Sequence, residues 1–230
     1  MGEQRKASEP PPVFQEFKDL VRIHLKQILK LDQHTNKVPM HTVALLVMIA
    51  YEALARFTDP DPKRPTHWLF AKRHQELYGI DPTIGDCIFN AIRNGLAHTY
   101  RAYPIPVEGL GEVRLVLTWK DGTQAHLKAV ASKMVGGHQW LCAVPRGSTE
   151  LPQVLCVDVW SLWRDLDALF AEVEATLTTD PDAARQFEAL VAKNREHYTD
   201  KLKGSDTNLW RSFLSSRRLE EDVAAPGTQQ

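Results

Sequence analysis

Between residues 13 and 31 apolar side chains recur at three- and four-residue steps, at Phe14, Phe17, Leu20, Val21, Leu25, Ile28 and Leu29. That spacing predicts one amphipathic helix. Over 40–57 the stripe widens until 43–50 is apolar on every side, the pattern of a central helix buried all round. Three prolines in TDPDPKRPT, residues 58–66, interrupt the helical path, because proline removes a backbone donor and clashes with the preceding turn. A shorter helix is expected over 67–78, stopped by Gly79. Asp81-Pro82 then reads as an N-cap followed by proline at the first helical position, and Ile84, Ile88, Ile92 and Leu96 repeat every four residues. They predict a fourth helix over 82–100. Tyr103-Pro104-Ile105-Pro106 forces extended backbone after it.

The period then falls to two. Val113, Leu115, Leu117 and Trp119 alternate with Arg114, Val116 and Thr118, and a second alternating run follows Asp121-Gly122 over 124–130. Together they predict a β-hairpin with an Asp-Gly turn. Apolar runs at 139–144 and 153–157, bounded by Gly and Pro, are read as further strands of a small antiparallel sheet. Gly136-Gly137 lacks the strand-to-helix setting of a phosphate loop and reads as a hairpin turn. Helical spacing returns at Val159, Leu162, Trp163, Leu166, Leu169, Phe170, Val173 and Leu177 behind a capping Asp158. Trp160 and Trp163 share this spacing, which favours burial over a base-stacking role. Asp180-Pro181 opens a last helix to about residue 195, anchored by Phe187, Leu190 and Val191.

The predicted fold is mainly α. A helical bundle covers 13–178, with a small antiparallel β insertion at about 107–157, and a C-terminal helical extension covers 179–219. Residues 1–12 and 220–230 are expected to be a disordered leader and tail.

Composition narrows the class. Lys and Arg total 28 against 29 Asp and Glu, a net charge of −1, with 43% hydrophobic residues. Collagen, a disordered chain and a disulfide scaffold are excluded. Near-neutral charge also removes the overall basic surface of a groove-tracking nucleic-acid binder, so any such contact must be local. Cys87, Cys142 and Cys156 stand at no metal or redox spacing and have apolar neighbours in sequence, so they are expected as core thiols in a reducing compartment. The longest apolar run, 43–51, is far short of the roughly 20 residues that cross a bilayer. The leader lacks the apolar region of a signal peptide. A cytoplasmic location without membrane contact is expected.

Chemistry concentrates in Arg93-Asn94-Gly95-Leu96-Ala97-His98-Thr99-Tyr100. A permanent cation, an amide and a titratable imidazole fall within six residues near a predicted helix end. Gly95 interrupts them although glycine costs a helix about 1 kcal/mol against alanine. A position without a side chain would admit another helix or a substrate backbone. Five residues set Arg93 and His98 about 140° apart around an ideal helix, so one helix does not converge them on one atom. A C2 dimer stacking this helix on its own copy would bring two sets into one cleft. Tyr100 returns to the angle of Arg93 and would share its polar patch.

An arginine and a histidine suit RNA cleavage without a metal. A base takes the 2′-hydroxyl proton, that oxygen attacks phosphorus, and arginine stabilises the charge on the phosphoryl oxygens. DNA lacks the 2′-hydroxyl and would be spared. The plainer reading is that both residues complement the helix macrodipole, and spacing alone does not decide between the two.

The octet RNGLAHTY at the end of a fourth bundle helix resembles the signature of the HEPN superfamily, an arginine and a polar residue followed by histidine after four to six positions. Arg93, Asn94 and His98 fill those places. The further Tyr100 makes Arg-x4-His-x-Tyr, which resembles HEPN toxins paired with MNT nucleotidyltransferase antitoxins. The resemblance covers about residues 13–105. It implies a homodimeric, metal-independent endoribonuclease acting as a toxin or phage-defence effector, with RNA as substrate. It places Arg93 and His98 in catalysis and Asn94 and Tyr100 in support, and it makes Tyr100 the target of adenylylation by a nucleotidyltransferase antitoxin. The inserted sheet and the extension past 180 depart from those compact, all-helical toxins. HEPN domains also occur as noncatalytic scaffolds, so the alternative is a nucleotide- or RNA-binding or dimerisation module.

No other stretch competes. Histidines outside the octet stand at no ligand spacing with cysteine or acidic residues, and neither a metal nor another cofactor is expected. Glu52, inside the apolar second helix, could orient a cation but is read as a residue near a helix end and left out of the site. Ser132 and Ser148 have no nucleophile-elbow neighbours. Lys63-Arg64, Lys72-Arg73 and Arg217-Arg218 are short basic clusters, suited to steering RNA or to plain solvation.

Overall fold

Val43, Ala44, Val47, Met48, Ala50, Tyr51, Leu54 and Ala55 are all buried on the apolar helix predicted at 40–57, which is the hub of the molecule. The computed structural model describes residues 9–35, 40–61, 63–99, 101–107, 111–119, 127–135, 138–145 and 153–203. Its elements in chain order are α1 (Pro12–Thr35), α2 (Met40–Thr58), α3 (Trp68–Tyr78), α4 (Pro82–Thr99), β1 (Ile105–Val107), β2 (Gly111–Thr118), β3 (Leu127–Val135), β4 (His138–Pro145), β5 (Gln153–Asp158), α5 (Val159–Thr179) and α6 (Pro181–Lys203). The protein is mainly helical with one small mixed sheet. By length and composition α2 also suits a membrane span. Here its apolar side chains serve the helical core instead.

Helix boundaries follow the chemistry of their ends. Gly79 adopts φ 64° and its N–H donates to the Gln75 carbonyl, the left-handed stop that glycine takes without steric cost. Asp81 accepts the Thr83 N–H at 2.8 Å, and Asp158 accepts those of Trp160 and Ser161. Asp180 accepts from Asp182 and Ala183. Each cap satisfies donors that a helix start otherwise leaves open. α6 runs to Lys203, beyond the predicted end near 195, because its last turns continue as polar helix after the apolar signal stops at Val191. Edge-on contacts among Phe14, Phe17, Phe57, Phe170 and Phe187 tie α1, α2, α5 and α6 together. α6 therefore shares the core of the bundle.

The sheet corrects the predicted antiparallel arrangement. Its strand order is β1-β2-β5-β4-β3. β2 runs parallel to β5, in register from Val113 opposite Gln153 to Thr118 opposite Asp158, while the other pairings are antiparallel. The predicted hairpin between the runs at 113–119 and 124–130 does not form, because β1 and β5 occupy the two sides of β2. Asp121-Gly122 lies outside the described residues. A parallel neighbour needs a connection of a dozen or more residues, and β3 and β4 lie within that connection. The described hairpin is β3 with β4, Val135 pairing His138 across Gly136-Gly137. Val113, Leu115, Leu117, Leu155 and Val157 join the helical core, so the insertion is fused to the bundle.

Two further expectations change. Cys87 is exposed on α4 and is not a core thiol, because it faces away from the side carrying Ile88 and Ile92. The side chains of Cys142 and Cys156, residues 1–8, residues 204–219 of the predicted C-terminal extension, and the tail lie outside the described residues.

A partly buried polar cluster lies beside α2. Arg73 makes a bidentate pair with Glu172 at 2.8 Å on both arms, and Tyr78 donates to Asp165. The fully buried Tyr51 hydroxyl has no hydrogen-bond partner among the described residues. Burial, then the Asp165 carboxylate, pushes the Tyr51 phenol far above its ordinary range. Unfolded tyrosine ionises near pH 10, so above that pH the unfolded chain sheds a proton that the folded one keeps. Stability is therefore intact below pH 10 and falls above it, by up to about 1.4 kcal/mol per pH unit from this group. Tyr51→Phe is expected to gain about 1 kcal/mol at neutral pH by removing an unsatisfied buried hydroxyl and to flatten the alkaline limb. Urea unfolding at pH 7 and pH 10.5 checks both; a loss of stability at pH 7 would contradict the assignment.

Candidate functional site

α4 carries Arg93 to Thr99 of the octet on its last two turns. Ile88, Phe89, Ala91, Ile92, Gly95 and Leu96 face the bundle and are buried. Arg93 and Asn94 are half-buried at the edge of that face, and Ala97, His98 and Thr99 are exposed. The pattern follows from the 3.6-residue period, which returns the buried stripe at 92 and 96 and leaves 97–99 beyond the last supporting turn.

Arg93 reaches across to α2. Its Nε donates to Glu52 Oε2 at 3.1 Å, and the two side chains are 33% and 25% exposed. The other carboxylate oxygen accepts the Thr66 hydroxyl at 3.2 Å. A partly exposed pair of this kind contributes about 1 kcal/mol or less to stability, so its consequence is geometric. Glu52 fixes the guanidinium through one edge, and neither terminal nitrogen bonds another described residue. Glu52 is thus the residue that sequence reasoning set aside. The signal was an isolated carboxylate in a helix otherwise apolar on nearly every side, where an acid needs a partner.

His98 stands five residues on, in the final turn. Because α4 remains helical through Thr99, the separation of about 140° and about 7.5 Å of rise persists. One copy therefore brings Arg93 together with Glu52 and Thr66 and leaves His98 on another side of the helix end. Asn94 lies beside Arg93, half-buried. Tyr100 lies outside the described residues.

Gly95 has a definite reason. A Cβ there would meet the Arg101 carbonyl oxygen, the Tyr103 nitrogen at 2.6 Å and Ala102 Cα at 2.9 Å. The chain turns back after α4 and lies against it, with the Tyr103 N–H donating to the Ala91 carbonyl at 2.9 Å. The Thr99 hydroxyl donates to the Gly95 carbonyl at 2.9 Å and also approaches that of Arg101. The space at Gly95 is filled by the chain's own returning backbone, neither by a second helix nor by substrate. That return braces the helix end bearing His98 and delivers the chain to β1.

Among the described residues no cluster of three or more His, Cys, Asp or Glu could hold a metal. The basic cluster at 72–73 is divided: Arg73 is buried on Glu172, and Lys72 sits over the Trp68 ring, its ammonium 5.7 Å from the centroid. Trp163 packs against the core, and Trp160 sits edge-on to Trp119 at 5.3 Å. No family model matches the chain, and no curated protein or solved structure matches it either.

Proposed function

We propose that this protein is a metal-independent endoribonuclease of the HEPN type, acting in the cytoplasm as a toxin or defence effector. The observation that carries the reading is the end of α4. There the octet presents Arg93, held through Nε by Glu52 with its terminal nitrogens open, one turn and a half before an exposed His98.

The chemistry assigns each group a task. His98 accepts the proton of a ribose 2′-hydroxyl, and O2′ attacks the adjacent phosphorus. The P–O5′ bond breaks, and the leaving oxygen takes a proton from an imidazolium. Arg93 donates its free N–H groups to the non-bridging oxygens as negative charge builds there. The products are a 2′,3′-cyclic phosphate and a 5′-hydroxyl. Asn94 supports the arginine edge, and Tyr100 is the group whose adenylylation by a partner nucleotidyltransferase would silence the site.

The 140° separation gives the second copy its role. Two α4 ends meeting across a C2 axis would supply an arginine and a histidine to the same phosphate, and a second histidine as acid. The same separation favours the other reading, a noncatalytic module that holds a nucleotide or RNA end. Incubation with single-stranded RNA and with DNA of the same sequence discriminates them. The enzyme is expected to cut RNA only and to lose about 100-fold or more of its rate in His98→Ala. Saturable RNA binding without new ends would establish the module instead.

A further inference from the structure

A cleft of about 340 Å³ opens between the proline-rich turn after α2 and the outer face of α6. We infer that it is the groove that holds the phosphate backbone of single-stranded RNA flanking the scissile bond, a proposal that rests on the ribonuclease reading above.

The cleft is continuous with the Arg93 site. Thr66 lines it and also donates to Glu52, the residue that holds Arg93. Arg56 lines it too, and it follows Glu52 by four residues on α2. Residues four apart lie on one helix face with Cβ atoms about 5–6 Å apart. Arg56 nevertheless forms no ion pair with Glu52 or with any other described residue, so its charge is available to a ligand. A strand leaving the Arg93 guanidinium over Glu52 therefore meets Arg56 first.

The far wall repeats the arrangement. Lys193 and His197 stand four apart on α6 and both line the cleft, with Asn194 between them. Lys193 likewise has no ion-pair partner among the described residues. Arg64 and Trp68 close one end, the guanidinium 5.0 Å from the indole centroid.

The two acids of the lining cancel this charge only in part. Asp59 pairs with Arg64 at 2.8 Å, and Asp61 accepts the backbone N–H of Lys63 at 2.9 Å, holding its own turn. Arg56 on α2 and Lys193 on α6 remain exposed and outnumber the one unpaired acid, Asp61, so the cleft keeps a local positive excess in a chain whose net charge is −1. Phosphate contacts of this kind set affinity and register without reading sequence.

The test is fluorescence anisotropy of the full chain with a labelled 2′-O-methyl oligouridine of twelve nucleotides, which binds but offers no 2′-hydroxyl to attack. Titrations at several salt concentrations compare the wild type, Arg56→Gln/Lys193→Gln, and Lys26→Gln/Lys30→Gln on α1 as a charge-matched control. All four side chains are exposed, and circular dichroism checks that each variant is folded. The cleft variant is expected to bind about tenfold or more weakly and to lower the salt slope by about 1.4, the value for two lost single-strand contacts. The control is expected to retain at least half the wild-type affinity.

Equal affinity and slope in the cleft variant, or an equal loss in the control, would overturn the groove. If the wild type also cleaves RNA, the ribonuclease reading survives that result. A wild type that neither binds nor cleaves RNA would sink both.

Discussion

Gly95→Ala is expected to destabilise the protein by about 3 kcal/mol or more, against the sign that helix propensity alone would give. Alanine improves an exposed helical position by about 1 kcal/mol over glycine. Here the added methyl meets backbone atoms of Arg101, Ala102 and Tyr103, which no side-chain rotation can move aside. Relief requires lifting the returning segment, which breaks the Tyr103 to Ala91 hydrogen bond and disturbs the path into β1. Overpacking and a lost backbone bond together account for the magnitude. In a chain of this size it lowers Tm by about 6–12 °C. Thermal unfolding by circular dichroism checks it. A Tm equal to or above that of the wild type would mean that the return does not lie against α4. The same variant should lose RNA cleavage, because the segment braces the turn that carries His98.

Arg93→Ala is expected to reduce RNA cleavage by about 100- to 1000-fold, the usual loss when one donor to a developing oxyanion is removed. Arg93→Lys should restore little of it, since an ammonium cannot bond Glu52 through one edge and phosphate through the other. Stability should change by about 1 kcal/mol or less, because the ion pair is partly exposed. A structural role for Arg93 predicts the reverse, a fall in Tm with cleavage intact. Mixing Arg93→Ala with His98→Ala subunits extends the test to the dimer. If one cleft draws on two copies, the mixed dimer has one arginine and one histidine and recovers part of the activity that neither variant has alone, short of the wild type because the second histidine that serves as acid is missing. A mixture as inactive as its components would place both groups of each site in one copy.

These expectations show which parts of the structure were legible along the chain. Helices were, because their signals are local: Asp81-Pro82 and Asp180-Pro181 begin helices where caps and proline say they should, and Gly79 ends one. The apolar run at 43–50 identified the central helix for the same reason. The sheet was legible as strands but not as an order. Alternation fixes which face of a strand is buried, whereas the choice of β5 over β3 as neighbour to β2 is settled by contacts some 40 residues apart. The extended segment at 105–107 hid a strand because its prolines mask the β signal.

At the candidate site, residue type, spacing and the family resemblance nominated Arg93 and His98, and one copy of the chain leaves the two on different sides of the α4 end. The partner of Arg93 was out of reach, since Glu52 lies 41 residues earlier and meets it only through the packing of α2 on α4. Gly95 was correctly marked as a place of close approach, but no local rule distinguishes a visiting helix from the chain's own return. Cys87 was misplaced because its apolar neighbours in sequence point to the opposite side of α4 from its own side chain.

The most direct test of the account is the chemistry of the ends it leaves on RNA. The purified protein is incubated with end-labelled single-stranded RNA and tRNA in excess EDTA, beside His98→Ala, and the new termini are identified by phosphatase and kinase treatment and by mass. Cleavage that persists in EDTA, leaves 2′,3′-cyclic phosphate and 5′-hydroxyl ends, and disappears in the variant is the expected result. Ends bearing 5′-phosphate, cleavage retained in His98→Ala, or RNA left intact by protein whose mass shows no added adenylate would contradict it.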